Sequence, residues 1–186
     1  MIPESILQKV NNTIKKEGGY VNNPHDRGGP TKYGITQRTA RRHGYKGDMR
    51  DLTREQAVQI YISEYMIEPG FARVAEINPA IAEELFDTGV LSGPALPRPW
   101  LQRCLNLLNH THKDEPWFDD LVVDGVLGKN TRDALTEVLR RRGKDGELVL
   151  LRMLNSLQGA FFIQITEGRV QNEEFIYGWF LHRVVI

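Results

Sequence analysis

The sequence predicts a mainly α fold, a helical domain interrupted near its start by a short loop or hairpin. Two patterns carry that reading. Apolar residues return at three- and four-residue spacing along most of the chain, and one segment, residues 18–36, is instead dense in Gly, Pro, Asn and Asp. The size and balance agree with it: 186 residues, 40% hydrophobic and 26% charged, suit a single soluble domain that can bury a sizeable core. General disorder is excluded.

Taken in order, Ile6, Leu7, Val10 and Ile14 form one helical face over residues 3–17, with Pro3 suited to a first turn and Gly18-Gly19 to a stop. Tyr20, Val21, Tyr33 and Ile35 punctuate the turn-rich stretch that follows, as in a structured hairpin. Thr36 or Thr39 opens a short basic helix. Thr53 with Gln56 reads as a capping box for a helix reaching about Ile67, with Ala57, Val58, Tyr61 and Tyr65 as its stripe. Asn78-Pro79 caps a helix to about Leu91 that is apolar around much of its girth, hence central. A proline-bearing turn over 93–99 leads to a stripe of Trp100, Leu101, Cys104, Leu105 and Leu108. Residues 109–130 read as a polar loop, and helices over about 131–142, 146–167 and 173–184 complete the chain.

Charge and cysteine content narrow the function. The 24 basic and 24 acidic residues cancel, so no global field holds the molecule on nucleic acid or an anionic membrane. No nucleic-acid partner is expected. Cys104 stands alone and cannot form an internal disulfide, and its place on an apolar stripe marks it as a packing residue. The first residues lack a positive leader with an apolar run, and no stretch is expected to reach membrane-spanning length. An extracytoplasmic target would then need another exit route.

The chemistry concentrates between Glu17 and Thr36. Glu17 continues the Val10 and Ile14 face at a helix carboxyl end, where partial burial and the macrodipole would both raise its pKa towards that of a general acid. Eight residues separate it from Asp26, and four more separate Asp26 from Thr31. A loop folded back over the helix end would gather the three around one substrate bond, a glycosidase layout with Asp and Thr positioning water. The same spacing also fits a solvated helix-end Glu17 and an Asp26 that only caps a turn.

The run of Glu17, Gly18, Gly19, Asn22 or Asn23, Pro24, Asp26, Gly28, Gly29, Thr31, Gly34 and Ile35 resembles the signature of the glycoside hydrolase 108 family of N-acetylmuramidases. The resemblance implies a lysozyme-like helical domain whose short loop or hairpin is the active-site segment, with Glu17 as catalytic acid. The Glu, Asp and Thr spacing is also similar to the active-site triad of phage-type lysozymes, although the Asp26–Thr31 interval is one residue shorter here. Phe86-Asp87, Gly89, Gly93, Leu101-Gln102 and Leu105 resemble the family's central helix pair, with Val90-Leu91 where an Asn is common. The segment Val123–Thr131 resembles an Asp-Gly-x-x-Gly-x-x-Thr motif of the associated peptidoglycan-binding region, and Gly178-Trp179 to Arg183 its terminal motif. These later motifs imply turn and packing roles more than sugar contact. The resemblance thus implies a muramidase catalytic region over 1–92 and a helical peptidoglycan-binding-like region over 93–186, packed as one globular unit.

Other readings of the same residues are weaker. Asp120, Asp124 and Gly125 fit parts of a calcium loop, but Val122 and Thr131 stand where oxygen-rich ligands are needed. His110, His112, Asp114 and Glu115 cluster without the geometry of a common zinc site. Seven Lys or Arg residues at 32, 38, 41, 42, 46, 50 and 54, against Asp48 and Asp51, make a local basic patch able to steer the protein to an anionic wall polymer, or an ordinary solvated helix face. Trp117 in the polar loop is the one tryptophan placed to stack on a sugar, since Trp100 and Trp179 lie on core stripes. With Tyr20, Tyr33 and Asp87 it completes the candidate substrate-binding set, Asp87 being also a possible second carboxylate.

The expectation is a peptidoglycan hydrolase that cuts the β-1,4 bond between N-acetylmuramic acid and N-acetylglucosamine, with no cofactor and no metal. Its partners would be glycan strands, with no membrane insertion, as a monomeric endolysin or prophage-derived enzyme released through a holin to act in the periplasm or outside the cell. The alternatives are a non-catalytic wall-binding or secretion-accessory module and a lytic transglycosylase. Asp26 and Thr31 favour hydrolysis over the last.

Overall fold

Pro3 ends the extended lead-in and places Ile6, Val10 and Ile14 on one helical face, which is wholly buried. In the computed structural model this helix, α1, runs Glu4–Glu17. The structure describes residues 2–22, 29–109 and 115–184, without the side chains of Lys16 and Glu17. Within them the chain divides into two compact units, Met1–Glu68 and Pro69–Ile186.

In the first unit, α1 is followed by three two-residue strands: β1 (Tyr20–Val21), β2 (Thr31–Lys32) and β3 (Ile35–Thr36). They form an antiparallel sheet in chain order, with Tyr20 opposite Lys32 and Thr31 opposite Thr36. The basic helix α2 covers Gln37–Arg42, and Thr36 caps it by accepting the Thr39 N–H at 3.2 Å. A short 3₁₀ turn, Met49–Asp51, precedes α3 (Arg54–Ile62). The expected capping box is present in full: Gln56 N–H donates to Thr53 Oγ1 at 3.2 Å and Thr53 N–H donates to Gln56 Oε1 at 3.0 Å. The helix does not continue regularly to Ile67. From Ser63 to Ile67 it widens by one residue into a π turn, closed by the Glu68 N–H donating to the Ser63 carbonyl at 3.0 Å.

The second unit is a helix bundle. A five-residue helix absent from the expectations, α4 (Phe71–Ala75), leads into α5 (Pro79–Ser92), capped by Asn78, whose side chain accepts the Ile81 N–H at 2.9 Å. Next comes α6 (Pro97–Leu108), which starts three residues ahead of the expected stripe because Pro97 and Pro99 fit a first helical turn, where no N–H is needed. Then α7 spans Lys129–Glu167, and α8 spans Glu173–His182. Gly143 leaves helical geometry (φ 57°, ψ −140°), so α7 is two rods joined end to end, close to the pair expected over 131–142 and 146–167.

Phe71, Ile81, Leu85, Leu101, Leu105, Leu135 and Phe162 are the largest side chains fully enclosed in this bundle. Trp100 and Cys104 are buried beside them, and burial pushes the Cys104 thiol up to about 11, consistent with a packing residue. The expectation that no segment reaches membrane-spanning length does not hold for α7. An 18-residue window of it has a mean hydropathy of 1.4, and 33% of that window is buried, so by length and composition this helix could cross a bilayer.

Candidate active site

The turn-rich segment owes its shape to a few backbone positions. Gly18 ends α1 with φ 52° and ψ −125°, a conformation that suits a residue without Cβ, and its N–H donates to the Ile14 carbonyl at 3.1 Å. Between β2 and β3 the turn residues Tyr33 (φ 55°) and Gly34 (φ 75°) both take positive φ, as a tight hairpin turn requires. The Tyr33 N–H then donates to the Gly18 carbonyl at 3.2 Å, tying the hairpin back to the end of α1. The Tyr61 hydroxyl, from α3, donates to the Tyr33 carbonyl at 3.3 Å.

This arrangement gathers four of the expected residues in the first unit. Glu17 is the last residue of α1, Tyr20 lies on β1, Thr31 on β2, and Tyr33 at the hairpin tip. Tyr20 is exposed, whereas Thr31 is half-buried with its hydroxyl 3.5 Å from the Gly29 carbonyl, a weak bond. Asp26 lies outside the described residues, as do His110, His112 and Asp114. Lys32 was not among the expected site residues, yet its Nζ sits 5.3 Å from the Tyr33 ring centre and donates to the Arg50 carbonyl. Its signal was present in the sequence only as one member of the basic run.

Much of that run is engaged locally. Arg41 donates to the Tyr45 carbonyl, Arg42 to Glu64, Arg54 to the Asn11 amide oxygen, and Arg50 pairs with Asp48 at 2.6 Å. The Arg50 guanidinium and its backbone N–H hold the Asp48 carboxyl at about 2, below the ordinary value. Arg38 and Lys46 have no such partner among the described residues.

The remaining two expected residues belong to the second unit. Asp87, on α5, pairs with Arg183 at 2.8 Å, which links the Phe86-Asp87 motif to the terminal Gly178-Trp179 to Arg183 segment. Trp117 has the guanidinium groups of Arg141 and Arg142 each 4.9 Å from its ring centre, and its backbone N–H donates to Asn109 Oδ1 at 2.9 Å. The Asp124–Thr131 motif is organised by Gln102, 2% exposed. Its Oε1 accepts the Gly125 N–H at 2.7 Å, while its Nε2 reaches Asp124 Oδ1 at 2.9 Å, the Val126 carbonyl at 3.2 Å and Thr131 Oγ1 at 3.3 Å. A cleft of about 480 Å³ opens beside it, walled by Phe118, Leu121, Asp119 and Asp133 among others. Among the described residues, one group has His, Cys, Asp or Glu ligand atoms close enough to share a cation: His43, Glu64 and Glu68.

Comparison with known proteins divides the chain later than the two compact units do, between residues 93 and 96 instead of after Glu68. Residues 10–93 match the family model described as glycosyl hydrolase 108, and residues 96–184 match one described as a predicted peptidoglycan domain. The solved structure of SagA from Brucella abortus is similar over 99% of this chain and 98% of that one, with a TM-score of 0.57 and 22% identity, a likeness of fold. The comparison with curated proteins finds no match.

Proposed function

We propose, from the premise that the chain belongs to the glycosyl hydrolase 108 family and is a peptidoglycan hydrolase, that the bond it cuts is the β-1,4 link between N-acetylmuramic acid and N-acetylglucosamine. Glu17 acts as the general acid that protonates the leaving oxygen. Water held near Asp26 and Thr31 then captures the oxocarbenium-like sugar. The observation that supports this most is the return of the hairpin to the end of α1. Pairing of β1 with β2 and the bond from the Tyr33 N–H to the Gly18 carbonyl bring Thr31, Tyr20 and Tyr33 to the residue that follows Glu17. A general acid needs substrate-binding and water-positioning groups near it, and the backbone tie between Tyr33 and Gly18 supports that reading.

The test is product mass analysis of purified peptidoglycan incubated with the wild type and with Glu17→Gln. Wild type should release muropeptides with reducing muramic acid ends, and the variant should lose at least about 10²-fold in rate with an unchanged or raised melting temperature. Anhydro-sugar products from the wild type would reassign it to the transglycosylases. Hydrolysis retained in Glu17→Gln would remove Glu17 from the acid's role.

A further inference from the structure

The cluster of His43, Glu64 and Glu68 lies in the first unit and shares no residue with the proposed reaction. We propose that it is a binding site for a divalent transition cation of the zinc class, ligated by one His43 ring nitrogen and one oxygen from each carboxylate. The three ligand atoms lie within 4.8 Å of one another, and zinc held at about 2.0–2.2 Å by N and O ligands would draw them together to roughly 3.4 Å, a side-chain adjustment.

Two features make this more than a chance meeting of charges. The imidazole is already oriented: its side chain is 8% exposed, with Nε2 2.7 Å from Glu64 Oε2 and Nδ1 3.5 Å from Glu68 Oε1. Held between two carboxylates, the ring is fixed in orientation before any cation arrives, which is what a ligating histidine requires. The second feature is the backbone. Glu64 lies inside the π turn and Glu68 closes it, the extra residue per turn setting where their side chains emerge relative to His43, which ends α2. Such turns recur at functional sites.

The cluster also holds a competitor. Arg42 donates to the same Glu64 oxygen that faces His43, so the guanidinium neutralises that carboxylate in the metal-free protein, and a bound cation must displace it. Ser63 Oγ donates to Glu68 Oε1 at 3.3 Å, a bond that bulk water can replace because Glu68 is half exposed.

Calorimetric titration of the whole, chelator-treated protein with zinc chloride, with manganese and magnesium in parallel, tests the site. The expected result is one zinc per chain, weaker manganese and no magnesium, following ligand type and the usual order of divalent affinities. Zinc should also raise the melting temperature, reversibly with chelator. His43→Gln and Glu64→Gln should each weaken binding roughly 10- to 100-fold or more. Arg42→Gln should tighten it, an outcome that a purely structural ion pair does not produce. Glu68→Gln, at the exposed edge, provides a loss-of-affinity test should the more buried variants fail to fold. Absence of stoichiometric zinc binding by the wild type, or zinc binding unaltered in the Glu64→Gln and Glu68→Gln proteins, would overturn the proposal.

Discussion

Tyr33 is the one described non-glycine residue with positive φ, and a left-handed backbone costs an ordinary residue about 1–2 kcal/mol. Its persistence at the tip of the proposed active-site hairpin marks a position where the side chain is retained at the expense of stability. Tyr33→Gly should therefore fold at least as stably as wild type while raising KM on peptidoglycan, and a melting curve with steady-state kinetics separates the two effects. The neighbouring Gly34 has the opposite logic: Gly34→Ala should lose about 1–2 kcal/mol in urea unfolding. Gln102 illustrates a different kind of dependence. Replacing it with Met keeps the volume but strands the Gly125 N–H, which should cost about 1–3 kcal/mol by the same measurement.

At the scale of elements, the caps were the most legible signals. Thr53 with Gln56, and Asn78 with Pro79, name their helix starts because each pairing satisfies specific backbone donors. Thr53→Ala should accordingly destabilise by about 1 kcal/mol, read from the urea midpoint. The π turn was not legible, since the Ala57, Val58, Tyr61 and Tyr65 stripe suits a continued α-helix equally well. Nor was α4, a five-residue helix entered from a left-handed Gly70 with no side-chain cap to announce it. Within the site, Tyr20, Thr31 and Tyr33 could be foreseen as neighbours because a short hairpin fixes them locally. The pairing of Asp87 with Arg183, and of His43 with Glu64 across 21 positions, depends on packing between distant elements that periodicity does not encode.

For the molecule as a whole, the formal charge is zero at neutral pH, so its acid response depends on particular carboxylates. Glu137 is held at about 2 by hydrogen bonds from Arg140 and Arg141, against an ordinary 4.5, and Asp48 at about 2 against 3.8. Because both folded values are depressed, their stabilisation is complete above the ordinary values and is lost as pH falls from there towards 2. Urea midpoints should drop over that window, and Glu137→Gln with Asp48→Asn should flatten the fall. Added salt should flatten it too, since both pairs are on the surface.

Gly143 has an evolutionary corollary. A continuous helix locks the rotational phase of every residue along it, so deleting one residue turns the remainder by about 100° and swaps its buried and exposed faces. The left-handed break resets that phase between the two rods of α7, and a Cβ there would meet nothing within 4 Å. Length changes of one residue next to position 143 should thus leave a soluble, folded protein, whereas the same deletion near Leu154, in mid-rod, should not. Among natural variants of this chain, gaps in α7 are expected to accumulate at that joint.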